Sequence, residues 1–277
     1  MTQRVLALLS GGGAKASGHI GAVRALEEAG LRPERFVATS MGAVIAAGFA
    51  AGLGAAELLD RVVRAGPKGI ARAPLAPVGG LWLGSLLRGD ALRRAIAAVV
   101  PADSFDRLDR PLTVTAVDLD TGELVSFGAG GRAAPLVDAL YASCALPVFY
   151  PPAVLDGRRL ADGGLRGVVP FEAAAGMPAD LVVAVDLGPG LDEPPGRPPP
   201  RTPPIVALHS AAVGILMAAN TRAQLALWRA DPARPPLIYV RPRVERYATF
   251  RVDLAREFAE EGRRAVREAL AAAGAGS

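Results

Sequence analysis

Arg4 to Leu9 is an apolar run of strand length that passes directly into SGGGAKASGHIG, where glycines allow a turn that no regular strand can make. Ile20, Val23 and Leu26 then recur at helical spacing, with Ser17 placed to cap the helix and Gly30 to stop it. The unit repeats. Phe36 to Thr39 reads as a second short strand, the strand gives way at Ser40, and GAVIAAGFAAG reads as an alanine-rich helix closed by Gly52. Successive strand-to-helix units require crossover connections, and such connections build a mainly parallel sheet with helices on both faces. The predicted class is α/β.

Downstream the pattern persists with a β-rich middle. Ala91 to Val100 predicts a helix, and PLTVTAVDLDTGELVSFGAG predicts two strands turned at Asp120-Thr121-Gly122. Asp156-Gly157 is a hairpin signal, since both residues accept the positive φ of a type I′ turn, and the hairpin delivers the chain to Asp162-Gly163-Gly164. Leu181 to Val185 and Leu237 to Val240 read as buried strands, and Val252 to Ala273 as a closing helix. Between Gly66 and Gly89, Pro and Gly mix with large apolar residues such as Trp82; a lid and an irregular connection packed on the core fit this equally. PGLDEPPGRPPPRTPP is too rich in proline for helix or central strand and reads as a solvent loop rather than a domain boundary.

The 277 residues suit one large domain, and 51% hydrophobic against 21% charged residues is a folding composition. The net charge of +4 raises nucleic acid as a partner, but Lys15 and Lys68 are the only lysines, and an arginine-dominated basicity with abundant Ala, Gly and Pro reflects GC-rich coding. Acids interleave the densest basic stretch, Arg241 to Arg251, and no stacking aromatics accompany it, so no nucleic acid partner is expected. An anionic membrane surface stays open. Cys144 is the only cysteine; its place in YASCALPV predicts a buried, inert thiol and leaves no thiolate metal cluster. Val5 to Leu9 is too short for a signal-peptide core, and Ile205 to Ala219 is shorter than a membrane span and contains His209. A cytoplasmic protein is expected, with no transmembrane helix and at most peripheral membrane contact.

Ser40 raises the question of chemistry, because a serine hydroxyl attacks a carbonyl only when it is positioned, deprotonated and supplied with an oxyanion site. Small residues two before and two after the serine allow a sharp strand-to-helix turn, and Ala38 and Gly42 fill those places. Gly11-Gly12-Gly13 after the first strand offers backbone N–H groups with no side chains in the way. A dinucleotide reading of Gly11-x-Gly13-x-x-Ala16 competes, but the second strand ends in Thr39-Ser40 instead of the required acid. No Gly-Lys-Ser/Thr phosphate loop is present, and Lys15 reads as shaping or neutralising the loop mouth. The two histidines, His19 and His209, lie on apolar helical faces and read as packed or capping groups. That leaves a carboxylate as base: Asp162 is the best candidate, with Asp186 and Asp118 at other strand ends as competitors.

GGGAKASGHIGAVRALEEAG, ATSMGAVIAA and YASCALPVFYPPAVLDGRRLADGGLRGVVP, in that order and with the stretch through Ser143, Val148 and Pro152, resemble the patatin-like phospholipase family. The resemblance implies a three-layer α/β fold with a mainly parallel central sheet, as one hydrolase domain over residues 1–277, of the compact bacterial kind. It implies a serine hydrolase that cleaves carboxylic esters of lipids through an acyl-enzyme, with Ser40 as nucleophile and Asp162 as base. Gly11, Gly12, Gly13 and Ala14 form the implied oxyanion hole, with the N–H groups of Gly12, Gly13 and Ala14 as its donors. No cofactor or metal is implied, and the partner is a lipid or acyl-ester substrate. A soluble short-chain esterase or thioesterase with the same pair, and a catalytically quiet regulatory protein, remain as alternatives. Ala16 and Ala38 stand where the family has glycine, and Lys15 where it commonly has arginine; the two methyl groups are expected to narrow the site slightly.

Overall fold

The computed structural model describes residues 3–66, 85, 87–190, 204–244 and 251–274. Most of the stretch between Gly66 and Gly89, and most of the proline-rich loop, lie outside the described residues. In chain order, β1 (Val5–Leu9) leads through a 3-10 turn (Gly13–Ser17) into α1 (Gly18–Glu28), and β2 (Pro33–Thr39) leads directly into α2 (Met41–Ala50). Two helices follow, α3 (Ala55–Ala65) and α4 (Gly89–Val99), then the strand pair β3 (Leu112–Asp118) and β4 (Leu124–Gly128). Next come α5 (Leu136–Cys144), the hairpin β5 (Ala153–Leu155) and β6 (Arg158–Asp162), and the short α6 (Phe171–Ala174). The chain finishes with β7 (Leu181–Val185), α7 (Pro204–Ala230), β8 (Leu237–Val240) and α8 (Ala255–Gly274).

Five strands run parallel in the order β3-β2-β1-β7-β8. The remaining strands extend this set around β3. Thr113, Val114 and Thr115 pair with β2 on one side and with antiparallel β4 on the other. Where β2 stops, at Thr39 opposite Thr115, antiparallel β6 takes over the same side of β3, with Asp162 opposite Ala116. Two strands therefore meet end to end beside one continuous strand. The last residue of β6 arrives where β2 ends.

Every residue of β1 is buried because both faces of the sheet are covered. Val5, Ala7 and Leu9 join the larger core with Ile20 and Val23 of α1, Val44 of α2 and Val266 of α8. Leu6 and Leu8 face the other way, against Phe171 of α6 and Trp228 of α7. Full burial of each of these leucines contributes roughly 1.5–3 kcal/mol. The strands at 33–39, 112–128, 153–162, 181–185 and 237–240 match expectation, and Asp156 (φ 50°) and Gly157 (φ 75°) form the expected turn.

Three expectations change. Ser17 does not cap α1; its hydroxyl donates to the Ala14 carbonyl at 2.9 Å, inside the preceding 3-10 turn. Helices α3, α5 and α6 had no counterpart in the expected element order. The apolar stretch expected to end at Ala219 instead belongs to a 27-residue helix, α7, which is long and apolar enough to cross a membrane by length and composition. Arg222 and Gln224 do not interrupt it, since straight-chain polar residues are good helix formers, and Asn220 is held within it by donating to the Arg166 carbonyl.

Candidate active site

Ser40 sits at the junction of β2 and α2 with φ 55° and ψ −136°, a conformation that non-glycine residues rarely adopt. The packing around it explains how this is held. A β-carbon on Gly42 would lie 2.2 Å from the Ser10 carbonyl oxygen, so only glycine lets the first turn of α2 rest on the end of β1. The Ser40 N–H donates to Ser143 Oγ of α5 at 2.7 Å, which ties the turn to a helix 103 residues away in sequence. Sequence reasoning placed Ser143 in a motif without assigning it a task, and a long-range contact of one hydroxyl leaves no local signal.

Asp162 is the only one of the three candidate acids that reaches the serine. The Ser40 hydroxyl donates to Asp162 Oδ2 at 2.7 Å, and the Gly164 N–H donates to Oδ1 at 2.8 Å. Gly163 permits this turn, because a β-carbon there would fall 2.5 Å from the Thr115 carbonyl oxygen. Asp162 is 5% exposed, and burial raises its carboxyl to about 6, against the opposing pull of the Ser40 and Gly164 hydrogen bonds. Asp186 is instead occupied by Tyr239 Oη at 2.5 Å and Arg241 Nη1 at 2.7 Å. Asp118 is bound by Arg158 Nη1 at 3.0 Å and the Asp120 N–H at 2.9 Å. Both competitors are structural acids.

The glycine loop lies against the serine: a β-carbon on Gly11 would stand 3.2 Å from Ser40 Cβ. Gly11 itself drops out as a donor to an oxyanion, since its N–H already bonds the Val168 carbonyl at 3.1 Å. The 3-10 turn that starts at Gly13, with Gly12 as its cap, makes its first internal bond at Lys15, and this leaves the N–H groups of Gly12, Gly13 and Ala14 without a partner in the turn. Ser10 pins the loop by donating its hydroxyl to the Gly11 carbonyl and accepting the Leu187 N–H at 2.7 Å.

The other singled-out residues fall away from the chemistry. His19 is fully buried and donates from Nε2 to the Ser10 carbonyl at 2.8 Å; burial lowers its imidazole to about 4, which keeps it neutral. His209 lies half-buried on α7, and Lys15 is buried in the 3-10 turn. Cys144 is buried beside Met41, and burial together with the nearby Asp162 charge pushes its thiol well up, so it stays protonated. The methyl groups of Ala16 and Ala38 belong to the main apolar core, so the expected narrowing of the site does not arise from them. Among the described residues no group of three or more His, Cys, Asp or Glu is placed to hold a metal ion.

A serine hydroxyl bonded to a buried carboxylate, beside backbone amides that have no partner within their own turn, is suited to acyl transfer. The family model described as patatin-like phospholipase matches residues 8–175, which include all of these groups. An uncharacterised NTE family protein of Mycobacterium tuberculosis is 35% identical over 185 residues, covering 66% of this chain and 49% of the relative. Patatin-like phospholipase domain-containing protein 6 of Mus musculus is 32% identical over 193 residues, 68% of this chain and 14% of that protein. The chain thus spans about half the length, or less, of these curated relatives. VipD from Legionella pneumophila shares the fold, with a TM-score of 0.56 over 98% of this chain and 67% of that one at 15% identity.

Proposed function

Because the chain belongs to the patatin-like phospholipase family, we propose that it is a lipid acyl hydrolase in which Ser40 is the nucleophile and Asp162 the base. The observation that carries this reading is the 2.7 Å bond from the Ser40 hydroxyl to a buried carboxylate whose affinity for protons lies near neutrality. Asp162 takes the hydroxyl proton as Ser40 Oγ attacks the ester carbonyl. The resulting oxyanion is held by the N–H groups of Gly12, Gly13 and Ala14, aided by the N-terminus of α2, where negative charge is favoured. Collapse breaks the bond to the alcohol, which leaves with the proton from Asp162, and the acyl group stays on Ser40. Water then gives its proton to Asp162 and attacks the acyl-enzyme; the acid departs, and the proton returns to Ser40.

In this reading the two carboxylate oxygens have different tasks. Oδ1 is fixed by the Gly164 amide, so Oδ2 stays aimed at the hydroxyl through both half-reactions. No imidazole is needed, since a desolvated carboxylate near 6 both accepts and returns a proton at neutral pH. Purified protein is expected to hydrolyse nitrophenyl esters and phospholipids, and Ser40→Ala and Asp162→Asn to lower turnover by at least ~10³-fold. A fluorophosphonate is expected to label Ser40 in the wild type. Turnover that survives both substitutions would overturn the assignment, and a chain-length series would separate a lipid hydrolase from a short-chain esterase.

A further inference from the structure

α7 presents its apolar side outward. Of the eight large hydrophobic residues exposed among the described residues, five lie on this helix: Ile205, Leu208, Ile215, Leu216 and Leu227. A helix that packs on its own core shows the opposite arrangement. Only Val206, Ala218, Thr221 and Trp228 are buried, so α7 rests on the protein along a narrow line, and among the described residues nothing covers its broad face.

The charges on α7 indicate what covers that face. The helix contains no Asp or Glu, and its two arginines, Arg222 and Arg229, are exposed; among the described residues neither makes an ion pair. Leu208, Ile215, Arg222 and Arg229 follow one another at intervals of seven, which keeps them in nearly one line, with a drift of about 20° per interval. Apolar side chains thus lead and guanidinium groups follow along the edge of that outer face, where the Arg229 guanidinium stands 6.0 Å from the centre of the Tyr239 ring. Pairing with a second copy would bury these arginines in an apolar contact with no acid opposite, which is unfavourable. Anionic lipid headgroups over acyl chains supply both complements, as they do for amphipathic helices lying in a membrane interface. Spanning is disfavoured, because Asn220 and Gln224 donate to the Arg166 carbonyl and Trp228 is part of the core; crossing a bilayer would break these contacts.

α7 is also fastened to the candidate site. The Arg166 carbonyl that it holds lies four residues after Asp162, and Met217 Cε would come 3.3 Å from a β-carbon on Gly164, the residue whose amide fixes Asp162. Gly214 faces Pro189 in the loop after β7. We propose that α7 is the surface by which this protein docks on anionic membranes, lying in the headgroup plane with Leu208, Ile215 and Leu216 in the acyl region and Arg222 and Arg229 on lipid phosphates. The proposal deepens the lipid hydrolase reading, since it brings the substrate to Ser40 without extraction into water.

Sedimentation with vesicles of phosphatidylcholine alone, and of phosphatidylcholine with phosphatidylglycerol, tests it. The wild type is expected to bind the anionic vesicles at least about tenfold more tightly, and to lose most of that preference in high salt. The L208E/I215E/L216E variant is expected to lose binding to both, and R222A/R229A to lose only the anionic preference, by about fivefold per arginine. Both variants should keep the wild-type melting curve and hydrolyse a soluble nitrophenyl butyrate within about twofold of wild type, because none of these residues touches Ser40 or Asp162. Wild type left in the supernatant by both vesicles would overturn the proposal, as would equal binding by the triple variant. Retention after alkaline carbonate would show a spanning helix instead, and a dimer abolished by the triple variant would show a second copy on this face; either result overturns it. Vesicle binding without any soluble ester hydrolysis would uphold the docking surface and remove the hydrolase reading.

Discussion

Ser40 occupies a backbone conformation that costs of order 1–3 kcal/mol, and its hydroxyl bonds a carboxylate that burial holds at about 6. The buried charge has two pH consequences of opposite sense. Activity requires the carboxylate, so kcat/KM is expected to rise with pH through about 6 and then level off. Stability moves the other way. The folded-state value lies above the ordinary 3.8, so the contribution of Asp162 itself is most favourable below about 4, declines as pH rises to about 6, and then stands as a constant cost of ~3 kcal/mol. Asp162→Asn keeps the acceptor for Gly164 and removes the charge. Its melting temperature is therefore expected to exceed that of the wild type at pH 8 and to converge with it below pH 4. Calorimetry at the two pH values checks this, and an unchanged gap would show that Asp162 is not desolvated.

At the scale of the elements, the turn that holds the serine depends on α5. Ser143→Ala leaves the Ser40 N–H buried without its acceptor, which is expected to cost about 1–3 kcal/mol in urea unfolding and to lower kcat more than KM; Ser143→Thr restores the oxygen and should recover much of both. Most of the elements around Ser40 were legible in the sequence, because β1, β2 and β7 are short apolar runs and the Asp156-Gly157 turn has a strict chemistry. α5 was not. Seven of its nine residues are buried, so it shows no polar side to mark a helical period. α7 misled for the reverse reason: its apolar stripe meets solvent, and a pattern that normally reports a buried face reports an uncovered one here. The reach of Asp162 to Ser40 came from the resemblance, since residues 122 apart carry no shared local pattern. The exclusion of Gly11 as a donor needed coordinates, because a competing acceptor such as the Val168 carbonyl is invisible in a loop sequence.

Over the whole molecule, stability resides in the apolar layers rather than in the charged surface. Phe36 and Phe49 stack at 6.4 Å in the larger core, and Phe49→Ala is expected to cost about 3–5 kcal/mol. Ion pairs such as Arg4–Asp180, Arg24–Glu28 and Arg256–Asp60 are solvent-exposed and contribute little each, so the urea midpoint should change only slightly between low and high salt while Phe49→Ala lowers it at both.

The junction of β2 and β6 beside β3 acts as a ruler. Thr115 and Ala116 are neighbours on one strand, and each holds the end of a different segment, so the gap between hydroxyl and carboxylate is counted in whole residues of that strand, about 3.3 Å apiece. A slip of a single rung would part the two groups altogether, and anything that preserves the rungs preserves their contact.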